Sequence, residues 1–221
     1  IQIPIGEEKE FHGVIDLVSM KSHVFPSDGG TPTVTEVPTD LSETAKTARE
    51  ALIEMVAEAD EALMEKFFEV GTLTQEELES GLRKATLRRQ IFPLLCSSAL
   101  LNVGVQQLLD AIVKYAPSPS EHTLKAISRA NGESTVYEFT ETGLPTAFVW
   151  KTIADPFAGR ITLFRVATGA LKSDISVHNL TKDVTERLGH LTLLQGKTQT
   201  TVSEVRAGDL GAVAKLKETQ T

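Results

Sequence analysis

From residue 146 onward the chain consists of short β-type runs separated by turn residues, and this pattern limits the possible folds more than any other feature. The runs are TAFVWKTIA, RITLFRVA, DISVHNL, RLGHLTLL and GAVAKL. Glycine, aspartate and lysine turns separate them at the close spacing that is typical of a small all-β barrel or sandwich. The residues before this region follow other periodicities, so the sequence predicts at least two structural parts.

Upstream of the β-rich region, two helices are predicted. Asp40 or Ser42 can cap a long first helix, because apolar residues recur at three- and four-residue steps from Ala45 to Phe67. Gly71 lies where this helix is expected to end. The sequence TQEE at 74–77 is a capping box, which predicts the start of a second helix. The predicted inner face of the second helix consists of Leu78, Leu82 and Ala85.

The remaining upstream segments carry weaker signals. Residues 1–25 contain β-branched and apolar positions that suggest strands or short hairpins. Residues 26–38 are rich in turn formers and predict a hairpin or loop. Residues 117–144 are polar, and we expect a connection with one marginal strand at most.

Residues 91–115 resemble a βα unit. IFPLLC at 91–96 is a continuous apolar run, as expected of a strand that is covered on both sides. Small residues follow it, and a helix is predicted over 102–115. Its predicted inward side chains are Leu108, Leu109, Ile112 and Val113. Ligands bind beyond the carboxyl ends of strands in an open parallel sheet, so the loop suits a planar base, but an ordinary βα loop has the same composition.

Composition places the chain among ordinary globular proteins, with 41% hydrophobic and 24% charged residues. No apolar run approaches the roughly 20 residues of a membrane span, and a single cysteine, Cys96, fits a reducing cytosol. The chain lacks an initiator Met, so we expect it to begin inside a longer protein.

Charge is unevenly distributed along the chain. Residues 1–144 carry 12 Lys and Arg against 23 Asp and Glu, whereas residues 145–221 carry 10 against 7. This asymmetry suggests separate partners, although acidic helix faces upstream would explain it equally well.

Several apparent motifs fail on spacing. The five histidines show no metal-ligand spacing. GHLTLLQGKT at 189–198 ends like a phosphate loop, but six residues rather than four separate its glycines, and a strand pattern follows. NLTKD at 179–183 lacks the Asn-Lys adjacency of a guanine-specificity motif. We predict that both of the latter segments form turns.

Long stretches of the chain closely resemble bacterial elongation factor G. They include IQIPIGEEKEFHGVIDLVSMKS, EADEALMEKFFE, LTQEELESGLRKATLRRQIFPLLCSSAL, NVGVQQLLDAIVKYAPSPSE, DPFAGRITLFRVATGALKSD and VRAGDLGAVAKLKET. The resemblance covers nearly the whole chain and is weakest from about 120 to 144. LKSDISVHN and QGKTQTTVSEV look more like the elongation-factor-G-like second paralogue.

The resemblance implies an α+β multi-domain fold. An α/β remnant of a P-loop GTPase domain, with its insert subdomain, would precede a Greek-key translation-factor β-barrel. Residues 1–88 match the insert subdomain, and residues 89–116 match the last strand, guanine loop and helix of the GTP-binding core. Residues 117–144 would be a connection. Residues 145–221 match the barrel domain, which we expect to lack its closing strand at the C-terminal end.

In the guanine loop, Ser98 and Ala99 match the Ser-Ala pair of the family, and Leu100 follows them. Position 97 is Ser, where the family usually has Gly. The family's phosphate loop, switches and Asn-Lys-x-Asp motif would all precede Ile1. The whole protein is thus expected to use GTP and Mg²⁺. We expect this chain to hold no cofactor, metal or catalytic residue and to be inactive alone.

The resemblance also implies a partner for the barrel, namely ribosomal RNA and protein of the small subunit. Five basic side chains are candidates for contacting RNA phosphates: Arg160, Arg165, Lys172, Lys182 and Arg187. Phe157, in the tight loop DPFAG, is expected to be a packing anchor. We expect a cytoplasmic monomer that binds neither DNA nor membrane.

The function implied is that of a non-catalytic segment of a translational GTPase that drives translocation. Two alternatives stay open. The whole protein could be a specialised ribosome-binding GTPase for protection or recycling. The chain could also be a stand-alone β-barrel module that binds RNA or ribosomal protein.

Overall fold

The structure is a computed structural model that describes residues 1–127, 131–156 and 159–221. It divides into two compact units, Ile1–Ala116 and Pro117–Thr221. Phe157, the expected packing anchor, lies outside the described residues. Among the described residues, no helix is both long enough and apolar enough to cross a membrane.

The first unit opens with a four-stranded antiparallel sheet in the order β1-β2-β3-β4. Its strands are β1 Gln2–Ile5, β2 Gly13–Asp16, β3 Lys21–Val24 and β4 Thr33–Glu36. The turn after β2 is closed by Asp16, whose Oδ1 accepts the N–H groups of Val18 and Ser19 at 2.7 and 3.1 Å. The hairpins predicted in residues 1–25 are confirmed.

Four helices follow in this unit, namely α1 Ser42–Glu58, α2 Glu61–Val70, α3 Gln75–Leu87 and α4 Val105–Tyr115. The prediction of one long helix as far as Phe67 is wrong. Asp60 adopts an extended conformation, and its side chain accepts the N–H of Leu63, so that it ends one helix and caps the next. An apolar stripe continues across such a break, because both helices pack on the same core. Gly71, at φ 76°, ends α2 as predicted.

The capping box at the start of α3 is confirmed. Thr74 accepts the N–H of Glu77 through its side chain, and the Glu77 carboxylate accepts the N–H of Thr74 at 3.0 Å. The predicted inner face is also confirmed, because Leu78, Leu82 and Ala85 are all buried. These side chains share one core with residues of α1 and of the sheet, including Leu52, Val56 and Ile15.

The predicted strand at 91–96 is wrong as stated, because this segment is not paired into a ladder. A strand is defined by its backbone partner, and among the described residues no strand is placed beside it. Its polar groups have scattered partners instead. The N–H of Cys96 donates to Gln2 Oε1 at 3.1 Å, and the Ile1 amino group donates to the carbonyl of Leu94 at 3.2 Å.

The predicted inner face of α4 is largely wrong. Leu109, Ile112 and Val113 are 58, 53 and 83% exposed, and Leu108 is only half-buried. The helix packs on the core through Ala111 and Tyr115 instead. Its apolar stripe is wider than the surface that the first unit offers it, so one side of the stripe lies open.

The second unit begins with a hairpin where a connection with at most one marginal strand was predicted. Its strands are β5 Thr123–Ile127 and β6 Ser134–Glu138, which pair antiparallel. Nearly all of their side chains are exposed. The sequence signal was weak because the hairpin buries so little that it needs no apolar alternation.

The rest of the second unit is all-β, and the predicted small barrel architecture is confirmed. A five-stranded antiparallel sheet has the order β13-β12-β15-β8-β7, and β9–β14 and β10–β11 form two further pairs. The strands are β7 Thr146–Asp155, β8 Gly159–Thr168, β9 Ala170–Lys172, β10 Ser176–Asn179, β11 Val184–Arg187, β12 Leu191–Gln195, β13 Thr198–Val202, β14 Glu204–Arg206 and β15 Leu210–Ala214.

The core of this unit contains Phe164, Val166, Leu191 and Val213 from the large sheet. Both apparent nucleotide motifs are turns, as predicted. Gly196 and Lys197 connect β12 to β13, and residues 180–183 connect β10 to β11. The fold class of the chain is therefore α+β.

Candidate functional site

The predicted guanine loop is a tight turn closed by its own backbone. Ser98 donates its N–H to the carbonyl of Val103 at 2.8 Å and accepts the N–H of Val103 at 3.1 Å. Its Oγ also accepts the N–H of Leu101 at 3.3 Å. Ala99 and Leu100 lie at the tip, where the Leu100 side chain is 94% exposed. The three predicted residues thus form one small, outward-facing turn.

A second segment supports this turn, and sequence reasoning missed it. Asn102 adopts a left-handed φ of 53° and donates its side-chain amide to the carbonyl of Gly29 at 2.9 Å. A Cβ on Gly29 would lie 2.3 Å from the carbonyl oxygen of Leu101, so only glycine allows this approach. The Asp28-Gly29-Gly30 sequence was a visible turn signal, but nothing in it indicated contact with a residue 73 positions away.

Gly104 joins the turn to α4 at the N-cap position, with φ 74°. A Cβ at this residue would lie 2.5 Å from the carbonyl oxygen of Cys96. The helix start can therefore approach the end of the 91–97 segment closely. The segment, the turn and the helix follow one another in the order of a βα unit, although the segment has no strand partner among the described residues.

The chemistry of this turn is limited. A cavity of about 230 Å³ beside it is lined by Leu101 and Val103 together with residues 9–12 and 26–27, and not by Ser98, Ala99 or Leu100. A backbone N–H at an exposed tip can donate to the carbonyl of a planar base. A phosphate would need a cradle of several backbone N–H groups or basic side chains, which this turn alone does not supply.

Two of the five predicted RNA-contacting residues donate hydrogen bonds to backbone carbonyls of the second unit. Arg160 donates its Nη1 to the carbonyl of Lys217 at 3.0 Å. Arg165 donates its Nε to the carbonyl of Gly208 at 3.0 Å, and its guanidinium lies 5.2 Å from the centre of the Phe139 ring. A hydrogen bond and a cation–π contact together restrain the Arg165 side chain.

The other three predicted residues are exposed, as Arg160 is, and their side chains donate to no backbone carbonyl among the described bonds. Lys172 ends β9, and Lys182 lies in the turn between β10 and β11, where its backbone N–H donates to Asn179 Oδ1 at 3.0 Å. Arg187 ends β11, and its Nη2 donates to Asp174 Oδ1 at 3.4 Å while its side chain stays 73% exposed. All three can offer a charged group to a phosphate without loss of a core contact. The structure describes no contact that joins them into one cluster.

Comparison with known proteins identifies the second unit. The family model for elongation factor G domain 2 matches residues 145–221. A crystal structure of a protein from Thermus thermophilus matches with a TM-score of 0.71 and 27% sequence identity. That match covers 100% of this chain and 32% of the Thermus protein, so the chain spans about a third of that protein's length. Residues 145–221 therefore belong to the elongation factor G domain 2 family, and the chain as a whole has the fold of part of the Thermus protein.

Proposed function

We propose that this chain is the non-catalytic, ribosome-binding segment of a translational GTPase that drives translocation. The observation that carries the proposal is the match of residues 145–221 to elongation factor G domain 2, together with the exposed cations of Lys172, Lys182 and Arg187. The proposed partners are RNA and protein of the small ribosomal subunit, and the proposed setting is the cytoplasm, with the chain as a monomer.

The exposed apolar residues of the first unit support the proposal that the chain is part of a larger GTPase, because they are expected to pack against the rest of a nucleotide-binding core. Phe92 and Leu94 are 79 and 77% exposed, and Leu109, Ile112 and Val113 on α4 are also open. Exposed apolar side chains so close in sequence are expected where a further layer of a core packs. We infer that residues 89–116 complete a GTP-binding core and that residues 1–88 are its insert subdomain.

It follows that GTP and Mg²⁺ belong to the whole protein. The Ser98-Ala99-Leu100 turn would contribute one wall of the base site and nothing to the phosphates. We therefore expect a fluorescent GTP analogue at micromolar concentration to show no saturable binding to this chain. Saturable binding that unlabelled GTP competes away would contradict this part of the proposal.

Ribosome binding is tested by sedimentation of the chain with purified small ribosomal subunits. Contacts to phosphates release counterions, so binding should fall steeply between about 50 and about 200 mM salt. Large subunits serve as the control particle. The proposal fails if the chain stays in the supernatant at the lower salt concentration, or if it sediments equally with both subunits at both concentrations.

A further inference from the structure

The last seven residues of the chain, Lys215–Thr221, follow β15 without regular secondary structure but are held along their length. Leu216 is only 8% exposed and packs in the core of the second unit. The N–H of Lys215 donates to the carbonyl of Arg160 at 2.8 Å, and Thr221 Oγ1 lies 2.9 Å from Thr152 Oγ1. We call residues 215–221 the terminal segment.

The Glu186 carboxylate binds three consecutive residues of the terminal segment. Its Oε1 accepts the N–H groups of Lys217 and Glu218 at 2.8 and 2.9 Å. Its Oε2 accepts the hydroxyl of Thr219 at 2.5 Å. One side chain therefore satisfies two backbone donors and one hydroxyl that no helix or sheet would otherwise pair.

Strand β10, which pairs with the strand of Glu186, contributes a further hydrogen bond to Thr219. Asn179 Nδ2 donates to Thr219 Oγ1 at 3.0 Å, while Thr219 donates its hydroxyl proton to Glu186. Val177 lies opposite Glu186 in the β10–β11 pair, and Asn179 lies opposite Val184. Because side chains alternate along a strand, Asn179 and Glu186 lie on one face of this hairpin, and Arg187 lies on the other.

The charge on Glu186 strengthens these bonds. Burial raises the pKa of this carboxyl, but the hydrogen bonds from Glu218, Thr219 and Lys217 together outweigh burial, so that its pKa is lower than usual. The ionised form is thus the one that the terminal segment binds. Hydrogen bonds to an ionised acceptor are stronger than those between neutral groups.

We propose that Glu186 is a latch that holds the terminal segment on the face of the β10–β11 hairpin that carries Asn179 and Glu186. The latch joins the hairpin and the terminal segment mechanically, and its loss leaves the N–H groups of Lys217 and Glu218 unpaired without opening the barrel core. The latch uses only contacts within the second unit and does not rest on ribosome binding.

The test is hydrogen–deuterium exchange on the full chain, read by mass spectrometry for the terminal segment and for β8. In Glu186→Ala, three bonds to a charged acceptor are lost, so exchange at Lys217 and Glu218 should accelerate about tenfold. Exchange in β8, which lies in the core sheet, should stay unchanged. Thr219→Val removes the hydroxyl's bonds to Glu186 and from Asn179 but leaves the N–H groups of Lys217 and Glu218 paired with Glu186, so it should accelerate exchange only about threefold.

Glu138→Ala is the matched control, because it removes an exposed glutamate from β6 in the same unit. The latch is contradicted if Glu186→Ala leaves exchange at residues 217–218 unchanged, or if Glu138→Ala accelerates it equally. It is also contradicted if Glu186→Ala and Thr219→Val accelerate exchange in β8 as much as in the terminal segment, since Glu186 would then stabilise the whole unit.

Discussion

Gly211 shows how closely the core of the second unit is packed at the level of single atoms. This residue lies in β15 opposite Phe164 of β8. A Cβ at Gly211 would lie 2.7 Å from Cζ of the Phe164 ring and 2.9 Å from Cγ2 of Val205. Both neighbours are buried core side chains, so neither can move aside without disturbing its own contacts.

Gly211→Ala is therefore expected to destabilise the second unit by about 1–3 kcal/mol through overpacking. The measurement is chemical denaturation followed by the single tryptophan, Trp150, which lies in β7 of the same unit. Gly189→Ala is the matched control, because nothing lies within 4 Å of a Cβ there. Equal free energies of unfolding in the two variants would contradict the prediction, because they would show that the Phe164 ring can move aside without cost.

A second prediction at the residue scale concerns acid stability. A hydrogen bond from Lys66 to the Glu77 carboxylate, helped by bonds at Thr74, lowers the pKa of Glu77 to about 2 from 4.5. Because the pKa of Glu77 is lower in the folded state than in the unfolded state, its ionisation stabilises the fold at pH values above the unfolded-state pKa. This stabilisation is lost as the pH falls from about 4.5 toward 2.

Glu77→Gln should therefore reduce the dependence of stability on pH in that window, as measured by urea denaturation followed by helical circular dichroism at several pH values. Glu76→Gln is the control, because Glu76 lies beside Glu77 on α3 without a place in the capping box. An identical pH dependence of stability in wild type and Glu77→Gln would contradict the lowered pKa of Glu77.

At the scale of elements, α3 could be predicted from sequence and α4 only in part. A capping box is a local signal, because the Thr74 and Glu77 groups that make it are three residues apart. The burial of Leu109 and Val113 depends instead on what packs against α4, and periodicity does not contain that information. Asp60 gave no visible signal to separate α1 from α2, because the apolar stripe runs through it.

The open face of α4 leads to a prediction of its own. Val113→Lys should change the free energy of unfolding by no more than about 0.5 kcal/mol, as is usual for surface substitutions. It should lower the fluorescence of a dye that binds exposed apolar surface. Thr47→Lys adds the same charge to an exposed position of α1 and should leave dye binding unchanged. A loss of about 2 kcal/mol or more in Val113→Lys would show that the side chain is buried.

At the scale of the molecule, the division into a helix-containing part and an all-β part could be predicted from the sequence. The three- and four-residue spacing of apolar residues gives way to short β-type runs near residue 145. The β5–β6 hairpin was missed, since its exposed side chains leave no alternation to detect. The support of the 98–100 turn by Gly29 was missed because it depends on a long-range contact. The roles of Arg160 and Arg165 within the second unit depend on the folded backbone in the same way.

The salt dependence of binding to small ribosomal subunits is the measurement that tests the proposed function most directly. The logarithm of the association constant is plotted against the logarithm of the salt concentration for wild type, Lys172→Gln, Lys182→Gln and Lys46→Gln. Lys46 is an exposed lysine of the first unit and serves as the control.

The proposal predicts that binding weakens as salt rises and that Lys172→Gln and Lys182→Gln each reduce the steepness of the plot by about one, as the loss of one phosphate contact should. Lys46→Gln should match wild type. The proposal is contradicted if wild type shows no salt-dependent binding, or if the control changes the plot as much as both substitutions in the second unit.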